Sequence, residues 1–145
     1  MDDRLPVQIR WSDIDANLHL RHSVYYDWGA LCRIDFLNSH KLTMDAMRQL
    51  HIGPVIFREE CVFRKEIKPD DKVSIDLVLA KAKKDFSRWT IKHRLIKEDN
   101  ILCATLTVDG AWIGIKERKL VLPPEFVQNV FATMPKDENF EWIER

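Results

Sequence analysis

The period of apolar and polar positions changes twice along the chain, and those changes divide it into elements. From Leu5 to Trp11 the pattern alternates, with Leu5, Val7, Ile9 and Trp11 on one side and Gln8 and Arg10 on the other, which predicts a half-buried strand. Helical spacing takes over near Ser23. Val24, Tyr25, Trp28, Leu31, Cys32, Asp35 and Phe36 recur three or four residues apart, predicting a helix over 22–38 with Ser23 or His22 as its N-cap. Its apolar stripe is wide and aromatic, and Gly29 within it suits close approach to a sheet. A shorter helix follows, capped by Thr43, carrying Met44, Met47 and Leu50, and ending before Gly53 and Pro54.

The period then becomes two. Over 55–67, Val55, Phe57, Cys61, Phe63 and Ile67 face one way and Arg58, Glu60, Arg64 and Glu66 the other, as in a long strand. Pro69, Asp70 and Asp71 make a turn, and Val73, Ile75, Leu77 and Leu79 predict the next strand. After a turn at 83–86, Trp89, Ile91, His93 and Leu95 predict a third, and after a turn at 98–100 the last runs from Ile101 to about Ile115. Gly110 and Gly114 inside it mark a bulge or a close backbone approach. Pro123 and Pro124 open a C-terminal helix with Phe126, Val127, Val130 and Phe131 on its apolar side. The expected organisation is one domain over 1–134 and an acidic tail over 135–145 that is loose apart from Trp142. Strand, long helix, short helix and at least four antiparallel strands make an α+β fold, one antiparallel sheet wrapped around a helix.

Composition narrows the function. A chain of 145 residues, 46% apolar, buries roughly two thirds of its unfolded surface in a single core. Lys plus Arg and Asp plus Glu both number 23, so the net charge is zero and its total does not suggest a nucleic-acid binder. Cys32, Cys61 and Cys103 are odd in number, widely spaced and set in apolar patterns, so they read as reduced thiols and imply a cytoplasmic protein. The first residues, MDDRLPVQIRW, do not read as a secretion signal, and no apolar run approaches the roughly 18 residues of a membrane span.

Motifs for a nucleophile elbow, a nucleotide loop or a zincin site are missing from the sequence. The one dense group of titratable residues beside a predicted buried helix is Asp13, Asp15, His19 and His22. Their spacing on a loop defines no metal site, and the simplest structural role for them is turn capping and surface exposure. As chemistry, a helix start offers unpaired N–H groups and a positive dipole end that polarise a carbonyl. A nearby carboxylate attacks that carbonyl or activates water.

The stretch WSDIDANLHLRHSVYYDWGALCR resembles the signature of hotdog-fold acyl-CoA thioesterases of the 4-hydroxybenzoyl-CoA thioesterase type, approximately D-x-D-x-x-G-H-V-N-N-x-x-Y followed by E-x-x-R. Asp13, Asp15, His19, Tyr25 and Arg33 match it, and Leu20 stands conservatively for Val. The later segments GPVIFREECVFRKEIKPDDKVSIDL, SRWTIKHRLI and ILCATLTV are also similar to the family, so the likeness runs from about residue 5 to Phe126. The resemblance implies a hotdog fold with Asp15 as the catalytic carboxylate and the backbone N–H of His22 as the oxyanion donor. It places His19, Tyr25 and Arg21 beside the substrate, with Tyr25 chiefly a packing residue, and gives Asp13 the ordering of the loop.

No separate cofactor is implied, because coenzyme A is part of the substrate. The expected partners are an acyl-CoA or acyl carrier protein thioester and a second copy of the chain, dimers that pair further into tetramers being left open. Arg88, with Arg21, Lys81, Lys83, Lys84 and Arg118, is a candidate for the coenzyme phosphates. Departures fall at Leu18 for the Gly, Arg21 and His22 for the paired Asn, and Ala30 for the Glu. Two other readings are an acyl-binding protein without catalysis and a hotdog hydratase, whose D-x-N-x-x-H pattern Asp15, Asn17 and His19 miss by one residue. Neither His93 nor Cys61, both in core-facing strand phase, reads as a base or nucleophile.

Overall fold

The computed structural model describes residues 4–144. Residues 1–3 and 145, part of the expected domain and tail, lie outside the described residues. The elements are β1 (Leu5–Val7), α1 (His22–Ser39), α2 (Met44–Leu50), β2 (Ile52–Phe63), β3 (Val73–Ile75), β4 (Val78–Ala82), β5 (Arg88–Lys97), β6 (Ile101–Gly114), α3 (Glu125–Ala132) and β7 (Lys136–Trp142). One edge of β5 pairs with β6, which pairs in turn with β2. Along its other edge β3 and β4 lie end to end, with β1 outside β3 and β7 outside β4. All pairs are antiparallel except β4 with β7. The buried face of this sheet wraps α1, which is the α+β arrangement that the periodicity predicts.

α1 reaches the sheet because Val24, Tyr25, Trp28, Gly29, Cys32 and Leu37 form its buried stripe. At Gly29 a β-carbon would lie 3.3 Å from Leu106 and 3.4 Å from the His93 ring, so the helix crosses β5 and β6 at its one residue without a side chain. α2 is capped by Thr43, whose hydroxyl accepts the Ala46 N–H at 3.1 Å. Its C-terminal stop is His51, in a left-handed conformation with φ 58°.

Several expectations differ from the structure for local physical reasons. β1 ends at Val7, not Trp11, because the Asp13 carboxylate takes the Arg10 N–H and folds Trp11–Asp13 into a short 3-10 turn, leaving Trp11 89% exposed. The N-cap of α1 is Arg21, which stands extended at ψ 134° and supplies no side-chain cap. β2 runs from Ile52 to Phe63, and a bulge between Ile56 and Arg58 breaks its alternation. Phe57 and Phe63, expected inside, are 49% and 52% exposed, since β2 pairs only with β6 and forms an edge. The strand expected over 73–79 is interrupted at Asp76 and Leu77, where Asp76 donates its N–H to the Arg94 carbonyl at 3.1 Å while its carboxylate oxygens accept Arg94 N and Nε, each at 2.7 Å. Lastly, the expected loose tail contains β7, with Trp142 edge-on to Phe86 at 6.0 Å.

Gly110 marks both features that its position in β6 predicts. It pairs with Ile56 beside the β2 bulge, and a β-carbon there would fall 2.6 Å from Trp89 Cζ2 and 2.7 Å from the Val55 carbonyl oxygen. Because one of these neighbours is backbone, the methyl has no room to be accommodated. Gly110→Ala is expected to cost about 1–3 kcal/mol, read as a lower urea midpoint with an unchanged slope.

Candidate active site

The loop before α1 is built on two aspartates with separate tasks. Asp13 is 1% exposed, and its carboxylate accepts Arg10 N at 2.9 Å, Nε at 3.3 Å and Nη2 at 3.0 Å. Arg21 approaches the same carboxylate at 3.9 Å, while the Asp13 carbonyl accepts the Arg21 N–H at 2.7 Å. The hydrogen bonds from Arg10 hold the Asp13 carboxyl below its ordinary value, against the opposing effect of burial. Asp13 therefore joins the strand side of the loop to the start of α1.

Asp15 lies one turn further on and is exposed. Its Oδ1 accepts the backbone N–H groups of Asn17 at 2.9 Å and His19 at 3.1 Å, and Oδ2 takes no hydrogen bond among the described residues. Asp15 N–H donates to the His19 carbonyl, and Leu18 N–H to the Asp15 carbonyl, which closes the turn between the bridged residues Ile14 and Leu20. Leu18 holds φ 63° here, the left-handed conformation for which glycine is the natural residue. The turn thus keeps a glycine-type backbone while carrying a leucine, whose side chain is 68% exposed and so clashes with nothing inside.

The remaining predicted residues separate into two places. Leu20 N–H donates to Ile67 at 2.8 Å and the His19 Nε2 lies 2.8 Å from Glu66, so the segment after β2 supports the loop from behind. His19 faces Glu66, an arrangement unlike the Asp–His water site of the hydratase reading. Arg21 donates to the Ser23 hydroxyl and the Ser12 carbonyl, across the mouth of the turn. His22 is the first residue of α1, so its N–H has no acceptor within the helix, and none among the described residues takes it. Tyr25 is buried three residues on, edge-on to Phe63 at 4.8 Å, with its hydroxyl pushed up to about 12 mainly by burial.

Arg88 is elsewhere. It stacks over Phe57 at 5.0 Å and shares a cleft of 780 Å³ with Arg58, Lys81 and Lys83, where Asp109 is the one carboxylate of the lining. The structure places two further features that no periodicity revealed. A cavity of 920 Å³ lies between the C-terminal half of α1, α2, the start of β2 and the inner face of β5 and β6. Beside it, fully buried His93 receives Arg33 Nη1 on Nε2 at 3.0 Å and donates from Nδ1 to the Asp76 carbonyl at 2.8 Å. Burial and the Arg33 charge press His93 down to about 3, so it stays neutral with both nitrogens occupied. Cys61 is pushed up to about 11 by burial, which keeps it a thiol. Among the described residues, no three His, Cys, Asp or Glu side chains converge as a metal site, and no helix is long and apolar enough to cross a membrane.

The family model of the thioesterase-like superfamily matches residues 9–131. No curated protein matches the chain at a significant level. Solved structures share the hotdog fold. A hypothetical protein from Aquifex aeolicus is 25% identical, with a TM-score of 0.77 over 88% of this chain and 96% of its own. A 1,4-dihydroxy-2-naphthoyl-CoA thioesterase from Synechocystis is 15% identical, with a TM-score of 0.80 over 90% and 95%. A Staphylococcus aureus protein solved in complex with CoA is 20% identical, with a TM-score of 0.81 over 92% and 86%.

The buried Asp13 gives a pH test of the loop. Because its folded value is depressed, its stabilisation is complete above the unfolded value of about 4 and is lost as pH falls through the lower folded value. The natural protein should therefore lose urea resistance more steeply below about pH 4 than Asp13→Asn, which lacks this titration.

Proposed function

Because the chain belongs to the thioesterase-like superfamily, we propose that it hydrolyses acyl-CoA thioesters, with Asp15 as the reacting carboxylate and the His22 N–H as the oxyanion donor. The observation that carries this reading is the Asp15 turn. Its backbone adopts the glycine-type geometry at Leu18, anchors Oδ1 with two N–H groups and leaves Oδ2 without a hydrogen bond among the described residues, in the loop that leads into α1. In the reaction, the thioester oxygen accepts the His22 N–H and gains charge at the positive end of the helix. Asp15 Oδ2 attacks the carbonyl carbon or takes a proton from the water that does so. The carbon–sulfur bond then breaks and the thiolate leaves and is protonated; on the water branch this gives the free acid and coenzyme A directly, and on the attack branch it leaves an anhydride on Asp15 that a water molecule hydrolyses to the free acid and the free carboxylate.

Two surfaces support the proposed substrate and assembly. The cleft of Arg88, Lys81, Lys83 and Arg58 suits the coenzyme phosphates; an acyl carrier protein is the other carrier considered. The free edge of β2 exposes Ile56, Phe57, Val62 and Phe63 to between 44% and 52%, a row suited to pairing with the β2 of a second copy. Antiparallel pairing would bring the Asp15 loop of one protomer, held at Glu66 and Ile67, toward the start of the other β2, where the large cavity opens. A homodimer would then assemble two sites.

One observation favours the non-catalytic reading, since Ala30 occupies the family's glutamate position on the cavity wall. Thiol release separates the two. Asp15→Asn should lower acyl-CoA hydrolysis by about 10²–10⁴-fold without loss of the folded state, and equal rates in both proteins would remove Asp15 from the mechanism. For the assembly, Val62→Lys should move the protein from dimer to monomer in sedimentation, as a charge on a pairing edge opposes association.

A further inference from the structure

The apolar cavity opens through a rim that the chain itself leaves uncovered. Ile34, Met44, Ile56 and Ile115 all line it and are between 41% and 77% exposed. Its lining includes neither Asp15 nor His22. Within one copy, therefore, the ligand-sized space and the proposed reacting carboxylate are apart. Leu18 presents the complementary feature. It holds the left-handed φ of 63° in the turn that its own N–H closes on the Asp15 carbonyl, and its side chain is largely exposed. Backbone strain of this kind gathers at functional sites, and an exposed leucine gains little from its own chain to set against it.

The free edge of β2 relates the two features. Residues directly opposed in an antiparallel pair share a face, so a symmetric pairing of β2 with the β2 of a second copy is centred on one residue. Centred on Arg58 or Glu60, it sets like charges against each other; centred on Cys61, it sets Glu60 against Val62. Centred on Glu59, it sets Arg58 of each copy opposite Glu60 of the other, and it opposes the two Glu59 carboxylates only with an Arg33 beside each at 3.7 Å. That register also brings the exposed Ile56 and Phe57 toward Val62 and Phe63 of the second copy. Glu66, seven residues past the centre, then comes level with Ile52, seven residues before it, on the cavity wall. Because Glu66 and Ile67 hold His19 and Leu20, the turn of Asp15 and Leu18 is carried to the mouth of the other copy's cavity.

We propose that Leu18 of one copy fills the mouth of the other copy's cavity, against Ile34, Met44, Ile56 and Ile115, and forms the lip between the reacting carboxylate and the acyl space. The inference rests on the thioesterase reading for the reaction, whereas the contact between copies stands without it. In the same turn as Asp15, the leucine crowds the carbon next to the thioester carbonyl. The site therefore selects acyl groups that are unbranched at that carbon.

Two measurements on the full chain test this. Leu18→Cys is prepared separately from Met44→Cys, Ile56→Cys and Ile115→Cys, and each pair is mixed, allowed to exchange subunits and oxidised, so that no link within one chain can form. At least one mixture should give a disulfide-linked dimer on a non-reducing gel, above the level of the natural protein and of each variant alone. The second measurement is the ratio of kcat/KM for decanoyl-CoA to that for 2-methyldecanoyl-CoA. Leu18→Gly, which suits the left-handed turn, should narrow the ratio about tenfold. A chain that stays monomeric in sedimentation would leave the mouth to a different protein and overturn the proposal, as would an unchanged ratio. Thiol release with no mixture linked would sink the lip and leave the hydrolase. A linked mixture without thiol release from any acyl-CoA would keep the contact and remove the hydrolase.

Discussion

Everything in this fold depends on how α1 is fastened across the sheet. The helix crosses at Gly29, where nothing larger than hydrogen separates it from His93 and Leu106, and His93 is the pin beneath it. That imidazole is neutral because burial and Arg33 disfavour its proton, and neutrality lets it accept from Arg33 on one nitrogen while donating to Asp76 on the other. A helix side chain, a sheet side chain and the break between β3 and β4 are thus joined through one ring. With the crossing fixed, the start of α1 must meet the loop of Asp13 and Asp15, and its end must roof the cavity over β5 and β6.

The loop divides its chemistry by burial. Asp13 is inside, bound by Arg10 and near Arg21, and spends its charge on structure. Asp15 is outside, with one oxygen used to shape the turn and the other left over. A left-handed leucine carries a conformational cost of about 1–2 kcal/mol, which the Asp13 and Asp15 hydrogen bonds offset locally. Retention of that backbone conformation without the glycine is the reason the departure at residue 18 does not dissolve the turn.

β2 connects the features that a single protomer keeps apart. Ile56, on one side of its bulge, lines the apolar cavity, while Phe57 and Arg58 line the basic cleft. Trp89 lies in the lining of both. The bulge therefore stands between the apolar cavity and the basic cleft, at the edge proposed to pair with a second copy.

By itself the sequence determined the elements whose cause is local. The period of 3.6 from Val24 to Phe36, the Thr43 cap and the proline start of α3 each act within a few residues, and so does the spacing of Asp13, Asp15 and His19. Membership of the family was legible for the same reason, since the signature is one contiguous stretch. Tertiary structure alone decided the rest. The exposed phase of Phe57 and Phe63 follows from a bulge and an unpaired edge, and a polar segment such as KDENFEW becomes β7 because the edge of β4 satisfies its backbone whatever its side chains. Glu66 behind His19 and Arg33 on His93 join residues far apart in the chain. No local periodicity encodes such meetings, because they arise only when packing brings distant groups within the reach of a hydrogen bond.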